Sequence, residues 1–289
     1  MRFGMCGAFL PGNMDNFTPE IAERVKSLGF SGVFTRFSQN DPFDTSPAQC
    51  HRLRDLLADQ GLHLYQVTGY WQPLMSPDES LRREAVRTLQ AAVRIAHQLG
   101  ARGIDTGPGS MSPDGPWMPH GDNWNPEVKD QLIKSLRECA QTAEDHGIYI
   151  SLEGHQVVVL DNAETTREVL DAVDSHWVRS DLDPANWITL KTVFDTGTAI
   201  DEMFDTLGNH IVSGHAKDIS INPSHIIHMP TNAPGTGQLD FATYIRRLEA
   251  LDPTYPLIVE GASAEQLPAT SQFLHQTAAD LGIAVLDKP

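Results

Sequence analysis

The chain has 289 residues, 21 of them Lys or Arg and 38 Asp or Glu, for a formal net charge of −17; it is 40% hydrophobic and 20% charged. That balance suits a globular chain of one large domain and does not suit a disordered one. It also argues against nucleic acid or an anionic membrane as partner, since both call for clustered Lys and Arg.

The predicted elements alternate from the first residues onward. An apolar run near 3–9, broken by glycines and Pro11, reads as a strand more than as a signal peptide. Thr18-Pro19-Glu20 places an N-cap and a first-turn proline ahead of a helix near 18–28, and Ser46-Pro47 repeats the device for a helix near 47–60. Between and beyond them, strands are predicted near 31–36, 62–68, 101–106, 148–153, 177–183, 210–216 and 255–260. The remaining helices fall near 79–99, 126–146, 163–173, 197–208, 240–250 and 264–282. Gly29, Gly61, Gly100 and Gly147 each follow a helical pattern and supply stop signals.

Eight strands alternating with eight helices, at roughly 36 residues per unit, predict an α/β fold: a single (β/α)8 TIM barrel forming one domain over 1–289. A doubly wound sheet usually has fewer strands and a Gly-rich phosphate turn, and no G-x-G-x-x-G follows the first strand. The longest irregular stretches, 107–125 and 218–239, follow strands four and seven, on the face where barrel active sites form. No apolar run is long enough to span a bilayer. Cys6, Cys50 and Cys139 are too few and too scattered for a disulfide framework. The expectation is a soluble, cytoplasmic protein.

Four successive strands end an apolar run with a metal-type ligand: Glu153, Asp183, His215 and Glu260, each roughly one barrel unit from the last. A single strand-end acid reads equally well as a solvated or capping residue; four in matching positions read as one shell. Three carboxylates and an imidazole suit Mn2+ or Mg2+, with Co2+ or Zn2+ also accommodated, and leave open positions for two substrate oxygens. Asp181 shares a face with Asp183 and rivals it; Asp183 is preferred because it lies nearer the strand end and precedes Pro184.

His155, two residues after Glu153, shares its face and reads as a general acid or base, or as a support for a ligand. Lys217 either reaches a substrate oxygen or pairs with Asp181, Asp183 or Asp218. Trp71, Trp117 and Trp124 fall in loops after strands three and four, where aromatic faces cover a sugar ring or lid the core. Of these groups, Lys217, Trp117 and Asn186 are assigned to substrate contact. The run Pro234-Gly235-Thr236-Gly237-Gln238-Leu239-Asp240 reads as a structural turn with Asp240 as N-cap, in preference to a phosphate cradle. There is no G-x-S-x-G, C-x-x-C or H-E-x-x-H.

At these residues the chain resembles the xylose isomerase-like TIM-barrel superfamily, in particular its sugar phosphate isomerase/epimerase group. The resemblance spans nearly the whole chain and rests on Leu-Glu-Gly-His at 152–155, Asp-Pro-Ala-Asn at 183–186, His-Ala-Lys-Asp at 215–218, the 234–240 run and Val-Glu at 259–260. It implies one divalent ion, Mn2+ first among the candidates, on Glu153, Asp183, His215 and Glu260, with the two glutamates doubling as acid/base pair. His155 looks more like the dehydratase and keto-sugar lyase branches, where such a histidine serves as base. Many relatives carry an Arg shortly after Lys-Asp; here Ile219-Ser220-Ile221-Asn222 follows, which argues against a phosphorylated substrate. The three-zinc site of the endonuclease IV relatives has more histidines than this chain offers.

The shared chemistry is removal of a proton alpha to a carbonyl through a metal-stabilised enediolate. The leading expectation is a divalent-metal-dependent sugar isomerase/epimerase. The alternative is a lyase or dehydratase eliminating from a keto-sugar or 3-keto-glycoside, and a non-catalytic sugar-binding barrel is the option from another class. The expected partner is a small-molecule sugar or keto-sugar, and self-association into a homo-oligomer is compatible with all three.

Overall fold

Eight parallel strands close on themselves in the computed structural model, which describes residues 1–68 and 70–286; positions 287–289 of the expected domain lie outside the described residues. The barrel strands are β1 (Arg2–Cys6), β2 (Gly32–Arg36), β3 (His63–Thr68), β4 (Gly103–Thr106), β5 (Tyr149–Glu153), β6 (Val178–Leu182), β7 (Ile211–Ala216) and β10 (Pro256–Val259). They neighbour one another in chain order, and β1 pairs with β10 from Arg2↔Pro256 to Met5↔Val259 to close the ring. The helices are α1 (Pro19–Ser27), α2 (Pro47–Asp59), α3 (Glu79–Leu99), α4 (Pro126–His146), α5 (Ala163–Val173), α6 (Thr196–Leu207), α7 (Phe241–Leu251) and α8 (Leu267–Asp280). The closed sheet and its helices are a single (β/α)8 barrel.

Strands of such a barrel are covered on both faces, so they read as near-continuous apolar runs instead of alternating ones. Phe3, Met5, Val33, Val67, Ile150, Leu152, Leu182, Ile211 and Leu257 are all buried. The helices pack one apolar stripe onto this sheet; in α3 it is Ala85, Leu89, Ala92, Val93, Ala96 and Leu99. Ser46 and Gln49 form a reciprocal capping box on α2, whereas the Thr18 side chain makes no capping bond on α1 and Pro19 alone sets its start. Gly100 and Gly147 end α3 and α4 in the left-handed conformation. The 218–239 stretch contains a two-residue hairpin, β8 (Asp218–Ile219) with β9 (Thr231–Asn232), too short to leave a period in the sequence. Among the described residues no helix is long and apolar enough to cross a membrane. All three cysteines are buried and unpaired.

One charged cluster ties α3 to α4. Glu79 accepts from Arg82, Arg83 and Lys134 at 2.7, 2.8 and 3.0 Å, while the buried Arg82 also reaches Ser135 and Glu138. The Arg82 hydrogen bond above all, then those of Arg83 and Lys134, holds the Glu79 carboxyl well below the usual carboxylate range. A depressed folded pKa gives stability that is complete above the unfolded value and is lost as the pH falls toward the folded one. Glu79→Gln is therefore expected to melt measurably below the wild type at pH 7, with the gap shrinking below about pH 4. An equal gap at both pH values in thermal scans would contradict an ionic origin.

Candidate functional site

Glu153 is the last residue of β5, Asp183 follows β6, His215 lies in β7 and Glu260 follows β10. The barrel's register brings these strand ends to one mouth, with Glu153 opposite Asp181 and His215 opposite Ile258. Two glycines make this packing fit. A Cβ on Gly214 would stand 2.1 Å from the Tyr244 hydroxyl, which instead passes the bare backbone and donates to the Leu182 carbonyl at 2.5 Å. A Cβ on Gly154 would strike the Leu160 carbonyl and the Trp187 ring, both at 2.5 Å, so the turn from Glu153 to His155 needs glycine as well.

Glu153, Asp183, His215 and Glu260 each present a donor atom, and the four donors lie within 4.8 Å of one another. Two donors on one ion, each about 2.0–2.4 Å from it, can be no farther apart than that. His215 Nδ1 stands 3.6 Å from both Glu153 Oε1 and Glu260 Oε2 and, though fully buried, makes no hydrogen bond. His215 Nε2 lies 3.1 Å from Asp181 Oδ2 and 3.3 Å from Gln66 Oε1, so one ring proton is held there, and a cation bound at the mouth would take the place of a proton on Nδ1, which faces the carboxylates. Gln66 is fixed in turn by Asp181 and by Ser213 at 3.0 Å, and the Phe34 ring stacks on the imidazole at 5.3 Å. A buried, unpartnered ring nitrogen among hard oxygen donors fits a divalent cation. Of the two rival aspartates, Asp183 belongs to this mouth group, and Asp181 stands behind His215 with Asp105.

The local field favours positive charge. Burial pushes the Asp183 carboxyl up, to about 7, even against the pull of Lys217. Burial raises Glu260 too, but Lys217, His215 and Arg36 outweigh it and bring that carboxyl down to about 2. Burial should strip the charge from Lys217 and His215. Asp183, Glu260 and Glu153 instead hold the lysine well above its ordinary value, and Asp181 with Glu153 does the same for the imidazole. Asp105, buried beneath the mouth, is raised well above the carboxylate range by burial and then by Glu153.

Above the four donors opens a cavity of about 340 Å3 lined by Arg36, Trp71, Trp117, Glu153, His155, Asn186, Lys217, Thr231 and Glu260. Lys217 Nζ lies among the carboxylates, 2.8 Å from Asp183, 3.0 Å from Glu260 and 3.9 Å from Glu153. Asn186 gives its amide to Glu153 Oε1 at 2.8 Å and to the Gly154 carbonyl, so it orients that carboxylate. His155 Nδ1 accepts from the Val157 amide at 3.3 Å, which leaves the proton of the neutral ring on Nε2. Burial and then Lys217 lower its pKa, so the ring is neutral at pH 7. Trp124 is half-exposed and does not line this cavity.

Arg36 went unnoticed in the sequence. It forms an ion pair with Glu260 and lies 5.4 Å from the Trp71 ring centroid. Its signal was present, because Arg36 closes the second apolar strand just as the acids close theirs. The glycine-rich run is a structural tie: the amides of Gly235, Gly237 and Leu239 all donate to the Asp218 carboxylate, leaving them unavailable to a phosphate.

A sequence profile described as xylose isomerase-like TIM barrel matches residues 22–280. Among curated proteins, none matches the sequence. Solved structures with the same fold include a D-psicose 3-epimerase with D-tagatose from Clostridium cellulolyticum H10, at 17% identity and TM-score 0.74 over 98% of this chain and 100% of that one. A xylose isomerase-like TIM-barrel protein from Mycobacterium smegmatis in complex with magnesium superposes at 18% identity and TM-score 0.71 over 96% and 97% of the two chains. A probable 3-DHS dehydratase from Bacillus anthracis does so at 17% identity and TM-score 0.71 over 95% and 99%. By its barrel and by the match of its sequence over residues 22–280, the chain belongs to the xylose isomerase-like TIM-barrel family.

Proposed function

We propose that this protein is a divalent-metal-dependent sugar isomerase/epimerase that removes a proton alpha to a carbonyl. The observation that carries the proposal is the mouth group itself: Glu153, Asp183, His215 Nδ1 and Glu260, within one ion's reach, under a cavity walled by two tryptophans. The likeness in fold to a ketose epimerase, a dehydratase and a magnesium-bound barrel supports it. Mn2+ is the preferred ion, with Mg2+, Co2+ or Zn2+ as alternatives. When bound, it supplies Lewis-acid polarisation of the substrate carbonyl.

The chain's own residues do the rest. Glu153, oriented by Asn186, and Glu260, oriented by Lys217 and Arg36, face each other across the mouth. One group takes the alpha proton as a carboxylate and the other, entering the step as the protonated acid, returns its proton to the opposite face, which inverts the centre. Trp71 and Trp117 offer apolar faces to the sugar ring, and Lys217 supplies positive charge where an oxyanion develops.

His155 favours a second reading, elimination from a keto-sugar. Its neutral ring carries the hydrogen on Nε2 and stands in the cavity, which suits a hydrogen bond to a departing oxygen. A sugar-binding barrel without catalysis would have no use for the four-donor group. Proton NMR in D2O, on ketoses and 3-keto-glycosides incubated with the Mn2+-loaded protein, separates the readings. Deuterium at the alpha carbon without elimination supports the isomerase; release of water or aglycone supports the lyase; no exchange with any carbonyl sugar would remove both.

A further inference from the structure

A second cavity, of about 480 Å3, adjoins the first across Arg36, Lys217 and Glu260, which border both. Its other walls are Cys6, Gly7, Ala8, Gly261, Ala262 and Ser263, where the chain leaves β1 and β10. Nothing in the proton-transfer chemistry uses this lobe. It has room because five of its lining positions, Gly7, Ala8, Gly261, Ala262 and Ser263, carry side chains no larger than serine.

The backbone there is unusual as well. Ala8 has φ 52°, one of two non-glycine residues with left-handed φ among the described residues. The other, Asp174, closes α5, a place where that conformation is common. No helix end accounts for Ala8. Strain of this kind gathers at ligand clamps, and here it lies on the lip of a cavity beside the four-donor group.

The two lobes differ in chemistry. Trp71 and Trp117 wall the first, whereas the second has no aromatic lining residue and draws its polar groups from Arg36, Lys217, Glu260 and Ser263. An aromatic substituent would find nothing to stack on. A phosphate would have to take Arg36 and Lys217 from Glu260, with which both are paired. A hydroxyl-rich ring fits such a wall, because it can donate to the carboxylate and accept from the cations without displacing either. Each lobe lies in the size range of small-molecule sites.

We propose that the second lobe binds a second sugar ring, so that the substrate is disaccharide-sized, with its carbonyl-bearing half beneath Trp71 and Trp117 and its other half beyond Arg36. This rests on the isomerase/epimerase reading of the mouth. The free carbonyl that chemistry needs makes the reacting half a ketose linked through an oxygen remote from C2 and C3.

Calorimetry on the Mn2+-loaded protein compares D-fructose with three glucosyl-fructoses that keep this ketone free: maltulose, leucrose and isomaltulose. At least one is expected to bind about tenfold or more tightly than D-fructose. Ser263→Trp, at an exposed position, should bring that ratio back to about one, and Ala8→His, at a second exposed lining position whose left-handed backbone histidine tolerates better than other large residues, should do the same. No disaccharide advantage, or an advantage that survives both folded variants, overturns the proposal. Deuterium exchange on the same samples keeps the two claims apart. Tight disaccharide binding without exchange upholds the lobe and removes the isomerase reading; exchange on D-fructose with no disaccharide advantage removes the lobe alone.

Discussion

Asp183→Ala is expected to leave the barrel folded while losing divalent-metal affinity by about 100-fold or more, and turnover with it. Folding should survive because the carboxyl is costly to bury as a charge, as its rise to about 7 shows. Lys217 would keep Glu260 at 3.0 Å as a partner, and the bond from the Ala185 amide at 3.1 Å is the one local cap given up. The control is Asp181→Asn, which preserves shape but weakens the acceptor that keeps the His215 proton on Nε2. Loss of such a supporting partner typically costs about 10–100-fold in affinity, less than loss of a ligand. Equilibrium dialysis with Mn2+ ranks the two variants. If Asp181→Asn binds the weaker of the pair, the two aspartates have exchanged roles.

The second large effect falls on the proposed acid/base pair. Glu153→Gln keeps an oxygen donor and the Asn186 contact geometry but cannot accept a proton, so turnover should drop by about 10²–10⁴ while much of the metal is retained. His155→Ala is expected to cost far less turnover and mainly to raise KM, because the imidazole lines the cavity and lies outside the four-donor group. The reverse order, with His155→Ala losing about 10²–10⁴ and Glu153→Gln mildly affected, would move the chemistry to the eliminating reaction. A His155→Ala protein that no longer holds metal would defeat both assignments.

Much of this was legible in the sequence because barrel physics is local. A strand covered on both faces is mostly apolar, so an acid or imidazole at its end stands out; Glu153, His215 and Glu260 are visible for that reason. Helix bounds were equally plain wherever a proline or a glycine marked the end, as at Pro47, Pro126, Gly100 and Gly147. Spacing alone could not rank Asp181 against Asp183, since two residues apart along one extended run they share a face. Their separation comes from closure of the ring, which carries Gln66 of β3 across the barrel to Asp181 and Ser213. The joint use of Glu260 by Arg36 and Lys217 is likewise a contact between the ends of β2, β7 and β10, distant in the chain. The fate of the 234–240 amides depended on Asp218, seventeen residues before the first of them, bending back to meet them.

Titration of the chelator-stripped protein with Mn2+, followed at each step by deuterium exchange into a ketose, tests the central claim most directly. Exchange should be absent after stripping, return in proportion to bound metal, saturate at roughly one ion per chain, and fail to return in Asp183→Ala. Full exchange in the stripped protein, or saturable metal binding that Asp183→Ala leaves intact, would contradict a catalytic ion held by Glu153, Asp183, His215 and Glu260.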